Sequence, residues 1–155
     1  MNSTVRLPEQ PNGRKLIKEG KRAALSQLLV ARVFIGIVLF FNVQCALVFI
    51  SMPGSYIQSF NLQGASGILL VQALGILFLM WNVPYVVALI HPQKHRLSLV
   101  EAIIMQAIGL IGESFLLILS PASVGNLRDS LIRFILFDSL GLLCLFLGAW
   151  ASRKK

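Results

Sequence analysis

Two carboxylic acids stand in stretches that are otherwise oil-like: Glu113 within GLIGESFLLIL and Asp138 within RFILFDSLGLLCLFL. An ionisable group in hydrocarbon costs at least a few kcal/mol, so each needs a partner or a purpose. At the helical spacings of three and four residues, Glu113 has only Gly109, Leu110, Leu116 and Leu117, and Asp138 only Phe134, Ile135, Gly141 and Leu142. Any partner must therefore come from another helix. Gly109 shares a helical face with Glu113, and Gly141 and Gly148 share one with Asp138. Small residues let helices approach, so both acids are expected to face the bundle interior. Gln106 lies on the same stripe as Glu113, and Asn42, Gln44, Gln72 and Asn82 add amides that extend a polar seam. Arg133 follows Asp129 at the favourable i, i+4 spacing and is also a possible partner for one of the two acids. The candidate polar set is therefore Glu113, Asp138, Gln106, Arg133 and Asn82. Carboxyls placed this way suit three roles: interhelical hydrogen-bonding glue, a proton-titrating pair, or a ligand site.

No catalytic residue is assigned. The chain shows no set of nucleophile, base and orienter, no glycine-rich phosphate loop and no metal-ligand cluster, so no cofactor is expected. His91 and His95 flank a proline in one hairpin and read as interfacial histidines. Cys45 falls near the outer end of the first span and Cys144 in the inner half of the fourth, roughly 15 to 20 Å apart along the membrane normal. A disulfide needs Cα atoms within about 7 Å, so both read as small packing residues.

The elements that must position these groups follow from composition. Of 155 residues 56% are hydrophobic and 13% charged, far from the balance of a soluble domain. Four spans of about 20 residues each would use nearly the whole apolar stock. The expected fold is all-α: a polytopic membrane protein, a four-transmembrane-helix bundle with a short basic N-terminal segment. Stops at Met52-Pro53-Gly54, His91-Pro92 and Ser120-Pro121 divide it into residues 1–24, spans at 25–50, 66–90, 99–119 and 127–151, and a basic tail at 152–155. Ser98 and Glu101 suit a capping box, and Asn126 an N-cap. Pro84 predicts a kink beside Asn82, where Trp81 and Tyr85 either pack or line a cavity. Tyr56, Phe60 and Trp150 suit interfacial anchoring, and Arg32 is placed to snorkel toward headgroups.

Lys+Arg number 14 against 6 Asp+Glu. Their placement decides the partner. Arg6, Arg14, Lys15, Lys18, Lys21 and Arg22 precede the first span, Lys94 and Arg96 lie in the second connector, and Arg153, Lys154 and Lys155 end the chain. The connectors 51–63 and 121–127 hold neither Lys nor Arg. That asymmetry predicts both termini in the cytoplasm and argues against a nucleic-acid partner. The expected partners are the lipid bilayer, with anionic headgroups at the basic N-terminus, and either a protein partner or further copies of the chain. The basic head reads as a surface-lying helix or as a disordered leader, and the long apolar run after it does not suit a signal peptide. Asn2-Ser3-Thr4 has the form of a glycosylation acceptor but falls on the cytoplasmic side. A bacterial inner membrane suits these features.

The run Arg32-Val33-Phe34-Ile35-Gly36-Ile37-Val38-Leu39-Phe40 resembles the opening helix of the DoxX-like family of four-helix membrane proteins, and Gln72-Ala73-Leu74-Gly75-Ile76-Leu77-Phe78-Leu79 resembles its second helix, with Gln72 where that family usually has Glu. The intramembrane acids here lie on the third and fourth spans instead, and no lysine follows the first. The resemblance implies the four-helix plan, and for some relatives a link to quinone oxidation or membrane redox complexes; it assigns no catalytic residue. The leading expectation is a non-catalytic subunit or partner-binding protein of a membrane complex. The alternative is a small proton-coupled transporter or quinone-associated protein using the intramembrane carboxylates.

Overall fold

Residues 12–153 are described by a computed structural model, and within them all regular structure is helical: α1 (Asn12–Ser51), a single turn α2 (Gly54–Ile57), α3 (Gly64–Trp81), α4 (Val83–Ile90), α5 (Arg96–Leu119) and α6 (Gly125–Ala151). Helices α3 and α4 form one span interrupted at Asn82, so four long apolar helices result, each sufficient to cross a bilayer. The chain is a small four-span integral membrane protein. Arg6, Asn2-Ser3-Thr4, Lys154 and Lys155 lie outside the described residues.

The spans run up, down, up, down. Helix α1 packs on α3, α4 and α6, and α5 packs on α6 and α4, which closes a four-sided bundle. Lys15, Lys18, Lys21, Arg22, the Lys94–Arg96 hairpin and Arg153 gather at one end, called here the basic end. The half of the bundle nearest that end is solid, with Ile35, Val38, Ala88, Leu99, Ala102 and Leu145 in one buried cluster around the Tyr85 ring. At the other end Phe49 is the hub of an aromatic group, its ring 4.6 Å from Tyr56, 5.6 Å from Phe60 and 5.6 Å from Phe78.

Several helix ends differ from the expected ones. Helix α1 starts at Asn12 and runs without a break into the first span, because no proline intervenes and Lys, Arg, Ala, Leu and Gln all favour helix. The basic head over 12–24 is thus an extension of the span, with Leu16 and Ile17 exposed. Helix α5 starts at Arg96, so Ser98 and Glu101 fall inside it and no capping box forms; the N-cap position is His95, without a side-chain bond. Asn126 is likewise inside α6, whose N-cap position is Val124. Arg32 reaches the end of a neighbouring helix at the basic end. Its guanidinium donates to the Ile90 carbonyl at the last turn of α4, where the helix leaves carbonyls unserved and the dipole favours a cation.

Candidate functional site

Between the solid half and the aromatic hub lies a cavity of about 310 Å³, and Glu113, Asp138, Gln106, Arg133 and Asn82 all line it. Each arrives there for a local reason. On α5, Gln106 and Glu113 are seven residues apart and so share a face; on the adjacent α6, Arg133 and Asp138 border the same space.

Gln106 is the centre of the polar contacts. The Tyr85 hydroxyl lies 2.6 Å from Gln106 Oε1, to which it donates, and Gln106 Nε2 donates to Asp138 Oδ1 at 2.8 Å. A tyrosine of α4, an amide of α5 and a carboxylate of α6 are thereby joined in a line through the core. The line exists only because two glycines make room for it. A Cβ on Gly109 would meet the Asp138 carboxylate, and one on Gly141 would come within 2.7 Å of Gln106 Nε2. Each glycine therefore sits on one helix of the α5–α6 pair and accommodates the polar side chain of the other.

Asn82 occupies the break between α3 and α4. Its backbone N–H turns to the Leu79 carbonyl (3.1 Å), and its own side-chain Nδ2 takes the Phe78 carbonyl (2.6 Å), the oxygen that an unbroken helix would serve with the backbone N–H. The side chain is 4% exposed, and its Oδ1 has no hydrogen-bond partner. Glu113 Oε2 is also buried and without a partner, and no hydrogen bond joins Glu113 to Asp138. Three buried side-chain atoms among the described residues lack partners; the third, Arg32 Nε, is not on the cavity wall.

Arg133 is exposed, and its Nε donates to the backbone carbonyl of Asp129 (3.3 Å). The guanidinium thus binds backbone rather than forming the expected side-chain pair with Asp129, because an exposed carboxylate gains little by pairing. Further groups face the two acids across the cavity: Asn42 and Cys45 from α1, Tyr56 from the α1–α3 connection and Tyr85 from α4. Tyr56 and Phe60 fold inward over Phe49 instead of spreading into the interface, and Ser130 Oγ donates to the Ser59 carbonyl at 3.0 Å, tying that connection to α6. For Tyr56, at the membrane surface, burial comes first among the causes that hold the hydroxyl above the usual tyrosine range, and Arg133 opposes them.

Two parts of the expected seam lie elsewhere. Gln72 Nε2 donates to the Ile50 carbonyl at the end of α1 (3.1 Å), and Gln44 is exposed, touching the cavity only at its edge. Sequence reasoning left Tyr85 open between packing and cavity lining; its separation from Asn82 by three residues around Pro84 was the available signal. It had no signal for the reciprocal use of Gly109 and Gly141. Both cysteines are free, and no group of three metal-ligating side chains occurs among the described residues. Comparison with protein-family models, with curated proteins and with solved structures finds no match to this chain.

Proposed function

We propose that this protein binds a small molecule in the cavity between its helices and exchanges it against protons at Glu113 and Asp138, as a small proton-coupled transporter. One observation carries the reading: a cavity of about 310 Å³ walled by two acids, with Asn82 Oδ1 and Glu113 Oε2 left without partners. Helix glue would satisfy its polar groups, since an unpaired buried acceptor costs about 1 to 3 kcal/mol. A wall kept short of partners is ready to meet a ligand. A carboxyl that alternately holds a proton and a ligand couples the two by competition. At four spans, a complete pathway is proposed to need a second copy of the chain.

The Lys/Arg asymmetry supports cytoplasmic termini in a bacterial inner membrane, with the α1 extension over anionic headgroups. From the DoxX-like resemblance we carry only the four-helix plan, and a quinone-associated role would use the same cavity. A second reading, a non-catalytic subunit of a larger membrane complex, is supported by Gln44, which is exposed beside a shallow groove containing Gly36, Leu39 and Phe40 on the outer face of α1. A polar side chain on a lipid-facing surface suits contact with another helix.

The test is reconstitution of the full chain into liposomes holding a pH dye, challenged in turn with small organic amines, acids and neutral compounds. At least one class is expected to drive a change in internal pH, and Asp138→Asn is expected to fold and insert normally yet abolish it. No flux with any class, together with co-purification of a larger complex in mild detergent, would overturn transport in favour of the subunit reading.

A further inference from the structure

Resting on that reading, the chemistry of the cavity wall narrows the ligand to one class. The two buried wall atoms without partners are both oxygens, Asn82 Oδ1 and Glu113 Oε2, and Asn82 is 4% exposed. The wall therefore seeks donors. Three of the donors on the wall are already engaged: the Tyr85 hydroxyl serves Gln106 or the Ala102 carbonyl, Gln106 Nε2 serves Asp138, and Asn82 Nδ2 serves Phe78; Asn42, Trp81 and Arg133 also bring N–H groups to it. Charge points the same way. Two acids line the cavity against one arginine, and Arg133 is exposed with its Nε on the Asp129 carbonyl.

The remaining wall is aromatic. Phe78 and Trp81 stack at 6.2 Å with their rings 28° apart, and Phe134, Phe137 and Tyr56 lie around the same space. Aromatic faces carry negative potential and attract a desolvated cation. A quaternary ammonium would gain from those faces but has no N–H for the two orphan oxygens, whereas a primary or secondary ammonium has two or more. An anion would face both acids, and a neutral alcohol brings one donor and no charge.

We propose that the cavity takes a primary or secondary ammonium carrying a hydrophobic group, its N–H donors on Asn82 Oδ1 and Glu113 and its apolar part against the Phe78 and Trp81 rings. A cavity of this volume suits a ligand of small-drug size.

Three probes of matched shape test it: phenylbutylammonium, phenylbutanol and phenylbutanoate. Each is titrated into the full-length Trp150→Phe variant in detergent, with Trp81 as the fluorescent reporter. The ammonium is expected to bind at least about tenfold more tightly than the alcohol, the scale of one desolvated cation–aromatic contact together with an ion pair. The carboxylate is expected to be weakest. Glu113→Gln and Asn82→Leu should each reduce the preference for ammonium over alcohol, because each removes one acceptor that the ammonium uses. Tightest binding by the alcohol or the carboxylate, or an ammonium preference unchanged in both variants, overturns the ammonium assignment and leaves a ligand cavity standing. Binding by none of the three sinks the assignment and the cavity reading together. Because the ranking is read in a chain with the whole cavity wall intact, misfolding of a wall variant cannot decide the outcome.

Discussion

The Tyr85–Gln106–Asp138 line depends on two missing methyl groups. Gly109→Ala and Gly141→Ala should each push a polar side chain off its partner and destabilise the bundle by about 1 to 3 kcal/mol, the usual cost of overpacking. Gly112, on the same helix as Gly109 but with nothing within 4 Å of its missing Cβ, supplies the control. Gly112→Ala should be neutral or stabilising by up to about 1 kcal/mol. Unfolding of the three variants in detergent micelles checks this; a loss in Gly112→Ala equal to that in the other two would show that the contacts around Gln106 are not what the glycines serve. At this scale the sequence could name the acids, because an ionisable side chain in an apolar run is conspicuous. It could not pair Gly141 with Gln106, since contact across two helices depends on their rotation and relative height, which composition does not encode.

Between elements, a helix end is served by a side chain from a different span. Arg32 of α1 donates to the Ile90 carbonyl, and Gln72 of α3 donates to Ile50. These contacts hold the second span to the first at both ends, in an environment with little water to satisfy loose carbonyls. Arg32→Ala is expected to cost about 1 to 3 kcal/mol in a denaturant titration, and Arg32→Lys less, since an ammonium still reaches the carbonyl with one donor. Equal losses in the two variants would argue that packing of the longer stem matters more than the hydrogen bond. The break at Asn82 was legible from Pro84. The capping roles of Ser98 and Glu101 were misjudged because hairpin geometry, with Lys94 and His95 N–H groups bonded to the His91 carbonyl, begins α5 about one turn early, and that of Asn126 because α6 begins at Gly125.

For the whole molecule, up-down-up-down connectivity requires the 91–95 hairpin and the C-terminal end of α6 to emerge on one face, and the 52–63 and 120–124 connections on the other. In a chain with both native cysteines replaced by serine, Lys94→Cys and Arg153→Cys should react together with a membrane-impermeant thiol reagent from one side. Gln58→Cys and Ala122→Cys should react from the other. Labelling of Lys94→Cys and Gln58→Cys from the same side would refute four crossings. By itself the sequence determined the helix count, the division near each proline and the sidedness of charge, because bilayer thickness and the cost of burying cations act on local composition. Only the tertiary structure decided that Asn82, Gln106, Glu113 and Asp138 border one space and that two of their oxygens are left without partners. Which faces of four similarly oily helices meet is set by close packing of small differences in side-chain shape, and a near-uniform apolar pattern carries almost no record of it.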